Sequence, residues 1–214
     1  MNSNAYLIIR NSEFTNSGSG TSDAGIRLAY VTTATTELTN LNCSYNNGYG
    51  IYLSNCDSVH IEDCTISNNG FDGIALLNSD NNYIENNNET INYNSGYGIS
   101  LSDSDSNEIN GNIINYNDEY GILLSDSSNN NINYNDLRYN IKGEYIEQGS
   151  SMGNTFGDGN ILDPVPDPVP GDNMFLIIVI AIVSIIALAA VIGGVALKKR
   201  SSKTKKVKEK KSEL

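Results

Sequence analysis

The sequence predicts an all-β protein: a right-handed single-stranded parallel β-helix of about five to six coils of ~23 residues, plus one C-terminal transmembrane α-helix. Three observations carry this expectation. A Gly-Ile dipeptide recurs five times at near-constant spacing, short apolar columns alternate with polar residues, and an uncharged apolar run of 24 residues, 174–197, precedes a basic tail.

The dipeptides are Gly25-Ile26, Gly50-Ile51, Gly73-Ile74, Gly98-Ile99 and Gly121-Ile122, separated by 25, 23, 25 and 23 residues. Two positions after each Ile stands a leucine: Leu28, Leu53, Leu76, Leu101 and Leu124. A second apolar column runs through Leu38, Ile61, Ile84, Ile109 and Ile132, and a third through Cys43, Ile66, Ile91 and Ile114. Ile9 and Phe14 fit these two columns one repeat earlier, and Leu137 extends the third. Alternation such as Ile51-Tyr52-Leu53 marks half-buried strands rather than helix. A single coil cannot bury its apolar side, but coils stacked about 4.8 Å apart can, so each column becomes part of a continuous core.

Asparagines repeat with the same register. Asn46, Asn69, Asn94, Asn117 and Asn140 each lie three residues after the third column, and Asn82, Asn107 and Asn130 lie two residues before the second. They are expected at corners, where Asn tolerates left-handed backbone and stacked amides bond along the pile. The unit Gly50–Asn69, GIYLSNCDSVHIEDCTISNN, and its counterpart Gly98–Asn117, GISLSDSDSNEINGNIINYN, resemble the parallel β-helix repeat proteins. The likeness is to NosD-like domains and to the wider carbohydrate-binding and sugar-hydrolase β-helix group, over residues 5 to 146. It implies the fold, and it leaves function open among lyases, hydrolases, spike proteins and binders.

The domain plan follows. Residues 1–146 form the β-helix, 147–173 its C-terminal edge and a Pro-rich linker, 174–197 the transmembrane helix, and 198–214 a basic cytoplasmic tail. The chain enters the pattern in mid-coil at Tyr6-Leu7-Ile8-Ile9 with no leader-like segment before it, so further coils are expected upstream in a longer protein. All four prolines fall in Pro164–Pro170, an extended spacer. As a helix the 24-residue span is roughly 36 Å long, enough to cross a hydrocarbon core.

Net charge is −12, unevenly placed. Ahead of the span stand only Arg10, Arg27, Arg138 and Lys142 against 23 acidic residues, whereas nine basic residues follow it with only Glu209 and Glu213. Phosphates would be repelled by such a body, which argues against nucleic acid as a partner.

The residues offer several candidate sites. Tyr49, Tyr97 and Tyr120 each precede a repeat glycine, with Tyr45, Tyr93, Tyr116, Tyr134 and Tyr139 near neighbouring corners; such rings are stacking platforms for sugars, or shields for corners. Asp80, Asp103, Asp105 and Asp126 align across coils as a carboxylate patch suited to calcium, or as a solvated turn stack, without an EF-hand spacing. Asn42 and Asn88 open glycosylation sequons. No catalytic constellation is recognisable. Three cysteines lack CxxC or zinc spacing; a Cys43–Cys64 bond between coils is one alternative, buried free thiols the other. The resemblance also implies a copper-linked, metal-site maturation role, but His60, Met152 and the cysteines form no cluster in the sequence.

The expected function is therefore a membrane-anchored, surface-exposed module, non-catalytic, that contacts a polysaccharide or a surface protein. The alternatives are a carbohydrate-active enzyme, either a lyase or a hydrolase, and a NosD-like maturation factor. The topology is checked by protease treatment of intact cells. With nine basic residues after the span and none in Gly143–Asn173 before it, the β-helix should be digested and a fragment beginning near Met174 protected. A protected β-helix with a cleaved lysine-rich tail would invert the orientation.

Overall fold

The computed structural model describes residues 7–15, 23–32, 36–88 and 90–163. The expected transmembrane helix at 174–197, the basic tail at 198–214, the proline-rich spacer and the first six residues lie outside the described residues. Every regular element described is a strand, and every strand pair is parallel.

The strands form a β-solenoid of about six turns with three sheets. The first contains β1 (Leu7–Arg10), β3 (Thr36–Thr39), β5 (Val59–Glu62), β8 (Tyr83–Glu85), β11 (Glu108–Asn110), β14 (Asn131–Asn133) and β16 (Thr155–Phe156). The second contains β2 (Ala24–Ala29), β4 (Tyr49–Ser54), β7 (Ile74–Leu77), β10 (Ile99–Ser102), β13 (Tyr120–Ser125) and β15 (Gly143–Gln148). The third is short: β6 (Ile66–Ser67), β9 (Ile91–Asn92) and β12 (Ile114–Asn115).

The register is the one the repeat predicts. Ile51 pairs with Ile74, Ile74 with Ile99 and Ile99 with Ile122, while Leu53, Leu76, Leu101 and Leu124 pair likewise. The second column stacks as Leu38, Ile61, Ile84, Ile109 and Ile132. All of these are buried, together with Cys43, Ile66, Ile91, Ile114 and Leu137 of the third. Each repeat glycine is needed for space. A Cβ on Gly50 or Gly98 would stand 2.4 or 2.2 Å from Cγ2 of Ile66 or Ile114, so only glycine lets the second sheet approach the third column.

The corners hold three asparagine ladders rather than the two legible in the sequence. The third runs through Asn87, Asn112, Asn135 and Asn160. In every ladder the rule is the same: one Oδ1 accepts both the backbone N–H and the Nδ2–H of the asparagine one coil earlier. Asn94 N and Nδ2 thus donate to Asn117 Oδ1 at 3.1 and 2.9 Å, and Nδ2 also reaches back to the Ile66 carbonyl at 3.2 Å. Buried backbone donors that a turn would orphan are thereby paired. The left-handed backbone is expected on these asparagines, and it falls instead on the residue before each of them except Asn160. Tyr45, Asn68, Tyr93, Tyr116 and Tyr139 have φ between 52° and 64°, immediately ahead of the first ladder. That residue turns the chain so that the following amide points inward.

The solenoid also continues past the expected boundary at residue 146. β16 pairs with β14, Ile161 bridges Asp136, and Asn154 and Asn160 extend two ladders as far as the last described residues. The repeat is harder to follow there because Tyr145 and Glu147 stand in register with Ile122 and Leu124, and Phe156 with Ile132.

Asn107 accepts from Asn82 N and Nδ2 at 2.8 and 3.0 Å and donates twice to Asn130 Oδ1. Asn107→Ala orphans two buried donors and should cost on the order of 3 kcal/mol in urea unfolding. Its outward neighbour Glu108→Ala should change stability by no more than about 0.5 kcal/mol. Equal losses for the two variants would overturn the ladder's energetic role.

Candidate functional site

Strand alternation sends every second residue of the second sheet outward. On that face Tyr52, Ala75, Ser100 and Leu123 form one row in register. Ala75, Ser100 and Leu123 are nonetheless only 5–7 % exposed, because the residues that precede the repeat glycines rise beside them. The result is a hollow of about 200 Å³ lined by Tyr49, Tyr52, Asp72, Ala75, Ser100 and Leu123 among others. The Tyr49 ring lies 5.1 Å from Tyr52 and 5.3 Å from Phe71, and Arg27 sits 5.3 Å above Tyr52 as a cation–π partner.

Of the predicted residues, Tyr49, Tyr97 and Tyr120 do occupy the slots before glycines at this sheet's edge. The structure adds Asp72, which takes the same slot in the intervening coil. Its carboxylate accepts from Ser100 Oγ at 2.6 Å and from Tyr97 N at 2.9 Å. Burial raises the Asp72 pKa above the usual carboxylate value; the two hydrogen bonds oppose the shift and the charge of Glu119 adds to it. The Tyr49 phenol is pushed up by burial, then by Asp72 and Tyr52. The Tyr97 phenol is raised by burial, then by Glu119 and Asp72, with Lys142 opposing. Lys142 pairs with Glu119 at 2.6 Å, which brings a cation to the same edge. A carboxyl of raised pKa beside a hydroxyl and phenols can hydrogen-bond a hydroxylated ligand in either protonation state. The signal for Asp72 was present in the sequence as the one charge in a tyrosine column, but a column-averaged reading treats it as an exception.

The aspartates proposed for calcium separate into two rows. Asp80 Oδ1 accepts from Asp105 N at 2.7 Å and Asp105 Oδ1 from Ser128 N at 2.6 Å, which makes this row a hydrogen-bonded turn stack begun by Asp57. Asp103 and Asp126 occupy left-handed turn positions of the other row, and Asp126 Oδ1 accepts from Ser150 N. Among the described residues no group of three or more His, Cys, Asp or Glu is arranged to hold a metal ion.

On the first sheet His60 stacks on Tyr83 at 4.5 Å, and Glu62 pairs in register with Glu85. Burial raises the Glu85 pKa, Glu108 and Glu62 add to it, and His60 opposes it. Cys43, Cys56 and Cys64 are free and buried, so no bond joins Cys43 to Cys64. Burial pushes the Cys64 thiol up to about 11 and the Cys43 thiol well above its ordinary range, the signature of inert core thiols. Asn88 is exposed. Asn42 is half-buried, its Nδ2 near Glu13, and Ser44 of its sequon is buried.

Asp72 makes stability pH-dependent. Its folded pKa lies above the unfolded one, so between them the native state holds the extra proton and stability falls as pH rises. Asp72→Asn should therefore be no more stable than the parent below about pH 4 and gain on it progressively above that, by thermal unfolding across a pH series. A constant difference at all pH values would deny the raised pKa.

The profile of the family described as right handed beta helix region matches residues 1–162. No curated protein matches the chain. Among solved structures, a mutant of the periplasmic alginate epimerase AlgG superposes with a TM-score of 0.62 at 16% identity, over 71% of this chain and 39% of that one. The A-module of the Azotobacter vinelandii mannuronan C-5 epimerase AlgE4 gives 0.51 at 14% identity, over 74% of this chain and 58% of that one. The chain thus spans well under two thirds of either. At these identities the likeness is one of fold, shared with carbohydrate-active enzymes.

Proposed function

From the premise that the chain belongs to the right handed β-helix family, we propose that it is a polysaccharide-binding solenoid, holding a glycan in the tyrosine-walled hollow of its second sheet. The observation that carries this reading is Asp72. A carboxylate that lines a hollow together with Tyr49 and Tyr52, bonded to Ser100, combines apolar rings with a directional acceptor, which is what a pyranose requires.

The body's charge selects among glycans. With 23 acidic residues against four basic ones before the apolar span, polyuronates are repelled, and a neutral glycan is the better partner. Anchoring through 174–197 would hold this module on the outer face of a membrane, with the basic tail in the cytoplasm. In that setting the module binds a cell-surface or environmental polysaccharide and performs no chemistry on it.

One observation favours a second reading as a carbohydrate-active enzyme. A carboxyl of raised pKa is suited to proton transfer, and the neighbouring phenols and the Glu119–Lys142 pair supply further polar groups.

Binding of the full-length chain to an array of neutral and acidic polysaccharides separates these readings. A neutral ligand should be retained unchanged, and Tyr49→Ala should weaken it by up to roughly tenfold, the loss of one stacking contact. Tyr134→Ala, an exposed ring elsewhere, should leave it intact. Cleaved or epimerised product that disappears in Asp72→Asn would establish the enzymatic reading, and no retention of any polysaccharide would sink the first.

A further inference from the structure

The left-handed corner ahead of the first asparagine ladder carries an outward column of Tyr45, Asn68, Tyr93, Tyr116 and Tyr139, one residue per coil. Tyr93 and Tyr116 stack at 5.3 Å with planes 12° apart, and Tyr116 and Tyr139 at 5.2 Å with planes 14° apart. Backbone bonds Tyr45 N to Ser67 O and Asn68 N to Asn92 O keep the coils in step across the column. Among these five described rungs, only the second lacks a ring. There Asn68 folds its Nδ2 back onto Ser67 Oγ at 3.2 Å, and the residue beyond the ladder in that coil is Gly70, where sister coils carry Asn47, Ser95, Asp118 and Ile141. At this rung lies an open hollow of about 480 Å³ lined by Tyr45, Tyr93, Asn47, Asn68, Gly70 and Ser95.

We infer that this missing rung is a binding subsite for a single neutral pyranose ring, distinct from the Asp72 hollow. Two coil rises separate Tyr45 from Tyr93, about 10 Å, so a ring placed midway lies about 5 Å from each face. That is the spacing at which Tyr93 and Tyr116 already stack. The chemistry of the edges names the class of ring. Asn68, Asn47 and Ser95 present amides and a hydroxyl, which a ring fringed with hydroxyl groups uses and a hydrocarbon ring does not. None of the lining residues is charged, so the sugar carries no carboxylate or amine that needs a counter-ion.

Stacking also matters to the backbone of this column. A tyrosine at φ near +58° is costly, and asparagine is the residue this turn favours. Tyr93, Tyr116 and Tyr139 offset that cost by stacking on one another. Tyr45 stacks on no described ring and is 61% exposed.

The test uses the full-length chain with isotope-labelled tyrosine rings, titrated with methyl glucoside, galactoside and mannoside. Ring resonances of Tyr45 and Tyr93 should shift saturably with at least one of them. Asn68→Tyr, which places in this rung the residue its four sister coils tolerate at the same φ, should keep the fold and thermal midpoint yet abolish the shifts. Tyr45→Ala should likewise remove the Tyr93 response. Asp72→Asn should leave both responses intact, so failure of the Asp72 hollow and failure of this subsite are read separately. Absence of a saturable shift with all three glycosides, or an undiminished response in Asn68→Tyr, overturns the proposal. So does a response to p-cresol alone, which would make the occupant an aromatic ring.

Discussion

The bond on which the rest of the structure depends is the doubled acceptance by one asparagine Oδ1 of a backbone N–H and a side-chain N–H from the coil before it. Strands of a solenoid solve their own hydrogen bonding through the parallel ladder, but corners do not, and every coil has three. Without a partner, each buried corner donor would cost about 1–3 kcal/mol, repeated at every layer. The asparagine ladders remove that cost and also fix the register, since an amide shifted by one residue along the chain meets no acceptor. Stacked Ile and Leu columns supply the burial, yet apolar contact is non-directional and would tolerate slippage. Register comes from the amides.

A scaffold held this way from within leaves its outer positions free. Both hollows with a defined chemical character arise where one coil departs from its own repeat. Asp72 stands where neighbouring coils place tyrosine, and Asn68 with Gly70 stands where four coils place a ring beside a larger residue. In a stack with a rise of about 4.8 Å, replacing one large residue by a small one opens a slot the height of a single ring. The parallel register makes that slot walled by the same residue type above and below. Regularity in the core and irregularity on the surface are therefore complementary: the first makes the second geometrically sharp.

Electrostatics adds a constraint on what such slots can hold. The described coils hold few cations, and three of them are paired with carboxylates, Arg10 with Glu37, Arg138 with Asp136 and Lys142 with Glu119. Carboxylates placed in register on adjacent strands, such as Glu62 and Glu85, raise the local negative potential further. A neutral ligand would meet this surface without a Coulombic penalty. The three cysteines take no part; free and buried, they behave as small apolar core residues.

The sequence alone determined the architecture. Gly-Ile dipeptides at spacings of 25 and 23 residues, with Leu two positions on, already state the register that the paired strands adopt, because a stack of coils demands that equivalent side chains coincide. It also made two of the three asparagine ladders legible, and the tyrosines before the glycines. The third ladder was missed because cysteine occupies its place at Cys64, and the last coil because aromatic residues stand in its apolar columns. Only the tertiary structure decided which residue of each corner turns left-handed, how the calcium-candidate aspartates divide between two rows, and that Asp72 and Asn68 open hollows. The reason is physical: periodicity reports what recurs in every coil, whereas a hollow is the local absence of a recurring side chain, and its walls are fixed only once the coils above and below are set in place.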